Sequence, residues 1–281
     1  AQYAVPQQTS YAMNPQELVD LQLAQDWWRD IMLRGNLDIV SHYMPPNFIS
    51  RNPNIDVGRD AFIATLKTQP DLLENYGQSI PEVQFAENGY VFFMWANFVT
   101  KATEPAHIYK YNTMDMLRIE NGKVVEHWDG SHKVVDTDFG AKDMGGGIYN
   151  NSINLTSLER ETQRLGIIEF KDILQYGHEE LALEVMAEDY MQHNPLVPGG
   201  RENFMQFVSV RENIPLADEW ITPLTLQLVS GNYFLRVDER FEEGPGDSSQ
   251  QAPFYWFDLI RIDDGLIQEH WDSAYPVNVE R

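Results

Sequence analysis

One tetrapeptide, Glu-His-Trp-Asp, is spelled twice in this chain, in VVEHWDGSHKV (124–134) and in IQEHWDSAYPV (267–277). The flanks repeat as well: MDMLRIENGK (114–123) matches FDLIRIDDGL (257–266), so Asp115 aligns with Asp258, His127 with His270 and Asp129 with Asp272, each 143 positions on. Further upstream NFISRNPNIDVGRDAF (47–62) matches DYMQHNPLVPGGRENF (189–204) at an offset of 142. One residue of drift over such a span predicts two copies of one domain. The length of 281 residues allows two domains of about 140, each large enough for its own core.

The pattern within each copy is helices first and strands second. PQELVDLQLAQDWWRDIMLRG (15–35) has the spacing of an amphipathic helix ended by Gly35, a shorter helix follows to about Tyr43, and GRDAFIATLKTQ (58–69) predicts a third. Between them, Phe48–Arg51 reads as a short strand before Asn52-Pro53. Strands are expected over 79–87, 90–102, 108–120 and 123–134, with Asn88-Gly89 and Asn121-Gly122 as hairpin turns. The second copy repeats this with helices at 157–177, 179–187 and 200–212, a short strand at 189–193, and strands near 221–229, 232–241, 254–263 and 266–275. EEGPGDSSQQAP (242–253) reads as a mobile hairpin loop.

The expected fold class is therefore α+β: two tandem cone-shaped α+β barrels, each with three helices packed on a curved antiparallel sheet. The boundaries are an N-terminal extension at 1–13, a first domain at 14–139, a Gly- and Asn-rich linker at 140–156 and a second domain at 157–281. The order of elements, the short strand ending His-Asn-Pro, the Gly-Arg-Glu helix start and Arg-Ile-x-x-Gly-x-x-x-Glu-His-Trp-Asp resemble the SnoaL-like branch of the nuclear transport factor 2-like superfamily. The resemblance runs over nearly the whole chain, once per copy. It implies a pocket inside each cone, chemistry without a cofactor, and sheet-to-sheet pairing that a tandem chain supplies internally as a pseudo-dimer, with or without a further homodimer. One cone hosts many reactions, so the fold alone names none.

Alternate residues of a strand face the same way, so His270 and Asp272 share one face of the last strand and Glu269 and Trp271 the other. An imidazole and a carboxylate about 7 Å apart in one concavity suit proton transfer at carbon. His193, at the end of the short strand, is expected to join them, with Asp258, Tyr190, Trp256 and Phe204 as substrate-binding residues, Phe207 and Phe234 as further apolar walls, and Tyr255 as a hydroxyl donor. By resemblance, Asp272 takes the role of acid/base in an aldol-type closure and His270 assists it. His193 is the candidate enolate stabiliser. The first copy keeps His127 and Asp129 but has Arg51 where the second has His193. Arg51 is expected to pair with Asp129 and leave that site able to bind and poorly suited to act as a base. The second copy is thus the catalytic candidate.

Other readings stay open. Each His-x-Asp pair can be a buried structural contact; His193, His270 and Asp272 have the composition of a two-His, one-carboxylate metal site, although no metal is predicted. The preferred function is cofactor-independent acid/base chemistry on a small, largely apolar carbonyl compound, by aldol-type condensation, cyclisation or dehydration. The alternatives are an apolar-ligand carrier and a water-activating hydrolase. A net charge of −23 argues against nucleic acid and anionic membrane as partners, and the absence of cysteine removes thiolate chemistry. The opening AQYAVPQQTSYAMNPQ and the sequons at Asn150 and Asn154 point to a secreted or periplasmic protein.

Overall fold

The structure, a computed structural model, describes residues 8–9, 13–68, 80–101, 104–130, 149–150, 154–194, 197–244 and 247–273. Among the described residues, two six-stranded sheets and six α-helices make a mixed α+β arrangement. In the first half the order is β1 (Gln8–Thr9), α1 (Pro15–Trp27), α2 (Val40–Tyr43), β2 (Ile49–Ser50), α3 (Arg59–Thr68), β3 (Val83–Glu87), β4 (Tyr90–Lys101), β5 (Glu104–Glu120) and β6 (Lys123–Asp129). The second half has β7 (Tyr149–Asn150), α4 (Ser157–Ile167), α5 (Ala182–Val185), β8 (Met186–Gln192), α6 (Arg201–Val208), β9 (Leu226–Ser230), β10 (Tyr233–Gly244), β11 (Asp247–Asp263) and β12 (Leu266–Asp272).

The strand orders are β1-β3-β4-β5-β6-β2 and β7-β9-β10-β11-β12-β8. Neither sheet is purely antiparallel: β1 on β3, β2 on β6, β7 on β9 and β8 on β12 are parallel pairs at the edges. Strand β7 falls inside the segment expected to be linker, and β1 inside the expected N-terminal extension. The stretch expected to be a mobile loop at 242–253 is instead strand on both sides, because β10 runs to Gly244 and β11 begins at Asp247. Its polar composition hid the extended backbone on either side. Expected strand residues 131–134 lie outside the described residues.

Both long helices start the same way. Asn14 and Thr156 form capping boxes with Glu17 and Glu159. Both then loosen into a π-helical turn, Trp28–Leu33 and Ile168–Ile173, in place of the continuous helix expected. Such insertions re-aim the side chains they carry. Three hairpins turn at Asn88-Gly89, Asn121-Gly122 and Asp264-Gly265, where both residues have positive φ, the geometry that matches strand twist.

Contacts divide the chain into two compact units: Ala1–Ala96 with Thr113–Gly146 and Glu239–Tyr255, and Asn97–Asn112 with Gly147–Asp238 and Trp256–Arg281. The first unit's core gathers Trp27, Trp28, Phe48, Phe62, Phe93 and Trp95. That of the second gathers Leu165, Phe170, Tyr190, Phe204, Phe234 and Ile260.

Candidate active site

The last hairpin of each half sets the geometry. In the second, Asp258 on β11 pairs in register with Asp272 on β12, and Ile260 with His270. Two carboxylates directly opposite each other on a sheet repel, so their retention in a buried place calls for compensation or for a function. In the first half Asp115 faces Asp129 in the same register. All six acid and imidazole side chains of the two clusters are buried, at 8% exposure or less.

In the second half the His270 imidazole lies between carboxylates on its two edges. Its Nε2 is 3.2 Å from Asp258 Oδ1, and its Nδ1 is 2.8 Å from Glu169 Oε1 and 3.1 Å from the Tyr190 hydroxyl. Burial opposes the charged ring, but the charge on Glu169 and hydrogen bonds to Asp258 and Glu169 outweigh it and raise the His270 pKa to about 10. That direction favours the imidazolium form of the ring. Burial, then the charges on Glu169 and Asp272, holds the Tyr190 hydroxyl protonated well beyond its ordinary range. Asp258 also accepts from Trp256 Nε1 at 3.0 Å and lies 3.8 Å from Arg236, which pairs with Asp238 at 2.9 Å. Asp272 accepts from Asn194 Nδ2 at 2.7 Å. Asn194 and Trp256 are only half-buried, so this is the more open side of the cluster.

His193 does not converge on His270 and Asp272. Its ring is 3.2 Å from Glu269 Oε2 and stacks on Trp271 with centroids 4.7 Å apart. Strand parity explains this. β8 places Gln192 beside His270, so Tyr190, Gln192 and, beyond the strand end, Asn194 face the cluster, whereas His193 faces the side of Glu269 and Trp271. Arg51 behaves alike in the first half. It does not pin Asp129; its Nε and a terminal nitrogen donate to Glu126 at 3.0 and 2.9 Å, and its guanidinium lies 4.7 Å over Trp128. The expected asymmetry based on Arg51 thus has the wrong residue.

The halves differ elsewhere. In the first, His127 Nε2 is 2.9 Å from Asp115 and 3.4 Å from Asp129. The His127 ring makes a T-shaped contact with Trp27, centroids 5.4 Å apart, and its Nδ1 has no hydrogen-bond partner among the described residues. Burial, with the charge of Asp129 against the pull of His127, raises the Asp115 pKa to about 7. Trp95 donates to Asp115 at 3.1 Å and stacks on Trp28. At an offset of 142 or 143, Trp27, Phe93 and Trp95 correspond to Glu169, Arg236 and Asp238. The shell is aromatic in one half and charged at the matching positions of the other. A cleft of about 370 Å³ over Trp28, Phe93 and Trp95, rimmed by Gln22, Gln25 and Arg29, belongs to the aromatic half.

Of the other expected residues, Phe204 is buried against Tyr190 and Phe234 stacks on Phe170. Phe207 is 40% exposed and is no pocket wall, and Tyr255 lies against Trp128 instead of the His270 cluster. Glu169, Asn194, Arg236 and Asp238 were missed. The signal for three of them was present, because the repeat offset sets charged residues on buried aromatic positions.

Asp115, His127 and Asp129, and equally Asp258, His270 and Asp272, bring one ligand atom each to within 4.8 Å of one another and could hold a metal ion. That set differs from the expected one by exchanging His193 for Asp258. No described helix is long and apolar enough to cross a membrane.

No family model and no curated protein matches the chain. Among solved structures it is similar to TsrD from Streptomyces laurentii, with 19% identity, TM-score 0.29, and 42% of this chain and 89% of that one covered. It is also similar to an NTF2-like protein from Mesorhizobium loti, with 19% identity, TM-score 0.32, and 43% and 97% covered. An LEH-like epoxide hydrolase from M. tuberculosis aligns at 15% identity and TM-score 0.32, over 44% of this chain and 84% of that one.

Proposed function

We propose that the chain is a tandem SnoaL-like protein, with cone-shaped domains at 14–139 and 157–281 joined by 140–156, and that its second domain carries out acid/base chemistry on a small, largely apolar carbonyl compound. Asp272 removes a proton from the carbon next to the carbonyl. The C–H bonding pair moves into the carbonyl, and the oxygen becomes an enolate that goes on to aldol-type condensation, cyclisation or dehydration. His270, held as an imidazolium, acts as fixed positive charge near that enolate and not as the proton relay expected from sequence. Asn194 and Trp256, whose N–H groups now hold Asp272 and Asp258, are the donors nearest the open side. His193 has no part in the reaction.

The observation that carries this reading is the opposed Asp258–Asp272 pair with a doubly partnered His270 beside it. Fixed charges aimed at a place where charge develops are what enolate formation needs. The first half, with its aromatic shell and cleft, suits retention of an apolar ligand without turnover, which keeps the carrier reading for that domain.

The test is exchange of the α-protons of 2-tetralone in D2O, followed by NMR. Wild-type protein is expected to exchange them faster than buffer, and Asp272→Asn to lower that rate by about 10²-fold or more. Full exchange by Asp272→Asn, or none by the wild type, overturns the assignment.

A further inference from the structure

The cluster around His270 contains one residue that the repeat could not have supplied by copying. Position 169 follows the cap Thr156 as position 27 follows Asn14; Trp27 closes the α-helical part and Glu169 already lies in the π-helical turn, but the backbone agrees at the end of the helix. Gly35 and Gly177 each donate to the carbonyl four residues back, and Asn36 and His178 to the one six back. Trp27 and Glu169 therefore occupy the same place on the same helix, facing the imidazole of their own half. Glu169 is fully buried, and its second carboxylate oxygen has no hydrogen-bond partner among the described residues. A carboxyl group buried in such a place is costly unless a close polar partner answers it. The Nδ1 edge of His270 answers it at 2.8 Å.

We propose that Glu169 is the positioning residue of the second domain's site: it clamps the Nδ1 edge of His270, so that Nε2 is turned to Asp258 and the ring stands beside Asp272, and Trp27 denies the first domain this arrangement. The inference rests on the acid/base reading of the second domain. In the first domain both carboxylates lie on the Nε2 edge, and the ring makes a T-shaped contact with the Trp27 indole. In the second, one carboxylate lies on each edge. The groups facing His270 are Glu169 from the π-helical turn, Tyr190 from β8, Asp258 from β11 with Arg236 of β10 behind it, and Asp272 on its own strand. Tyr190 reinforces the clamp, since its hydroxyl lies 3.4 Å from Glu169 Oε1 and 3.1 Å from His270 Nδ1.

The experiment is a long-range ¹H–¹⁵N NMR titration of the imidazoles in the full chain. In the wild type at pH 8, His270 is expected to show both nitrogens protonated, a reading that needs no variant. Glu169→Gln is expected to lower the His270 titration midpoint by about 1 to 3 units, as loss of an adjacent opposite charge does, and Glu169→Asp to restore part of the shift. His127 serves as the internal control and is expected to be unmoved. A neutral His270 at pH 8, or an unchanged midpoint in Glu169→Gln, overturns the proposal. Turnover separates this from the acid/base reading. A shifted midpoint with 2-tetralone exchange lowered in kcat and little changed in KM supports both. A shifted midpoint in a protein whose wild type never exchanges the ketone keeps the clamp and sinks the reaction.

Discussion

Replacing Arg51 with Met should destabilise the protein far more than replacing His193 with Ala, although the two residues occupy matching places. Arg51 and Glu126 are 1% and 2% exposed in their side chains, joined by two hydrogen bonds. Removing one partner of a buried pair costs about 3–5 kcal/mol, because the other is left charged without compensation. Arg118, 2.7 Å from the other Glu126 oxygen, retains part of the pairing and argues for the lower end. The lost stacking on Trp128 adds to it. We expect about 3 kcal/mol, or a Tm lowered by roughly 6 °C or more. His193 is 28% exposed, and its partner Glu269 keeps Arg261 at 2.7 Å. Its loss removes one hydrogen bond and one ring contact, about 1 kcal/mol. Chemical unfolding of both variants, with Arg51→Met/Glu126→Gln added to close a cycle, reads the difference. The double variant should recover part of the loss, since Glu126 is then no longer a buried charge left by its Arg51 partner. Equal costs at positions 51 and 193, or a double variant worse than the sum of its parts, would refute the reasoning.

The charge on His270 links stability to pH. Its pKa in the folded chain is raised to about 10, above its ordinary value near 6.5, by Glu169 and Asp258 against the opposing effect of burial. That contribution is fully present below about pH 6.5 and is lost as pH rises through about 10. Unfolding midpoints measured from pH 7 to 10.5 should fall, and His270→Gln should flatten the slope. Gly177 has φ of +80°, and a Cβ there would lie 2.4 Å from the Glu212 carbonyl oxygen. Gly177→Ala should cost about 2 kcal/mol or more by thermal unfolding; a neutral change would mean the Glu212 backbone yields freely.

Much of the architecture could be read from the doubled EHWD and its flanks. The offset of 142 to 143 paired the halves, and period two placed His270 and Asp272 on one face. The same rule, carried into the short strand, separates Tyr190 and Gln192 from His193. The histidine was drawn to the site by its chemistry, against its parity. Arg51 misled in the same way. Glu169 was hidden for a different reason: within a helix it reads as one more exposed acid, and only superposition on Trp27 marks it as buried. The polar run at 242–253 shows the opposite failure. Its Gly, Ser and Gln are loop chemistry, yet the strands on both sides run into it against that local preference.

The central claim is that the second domain, and not the first, does the chemistry. The most direct measurement is α-proton exchange of 2-tetralone by Asp272→Asn and Asp129→Asn side by side, both checked for folding by circular dichroism. The account predicts a loss of about 10²-fold or more for Asp272→Asn and little change for Asp129→Asn. Equal losses, or a loss confined to Asp129→Asn, would contradict it and move the working site to the aromatic half.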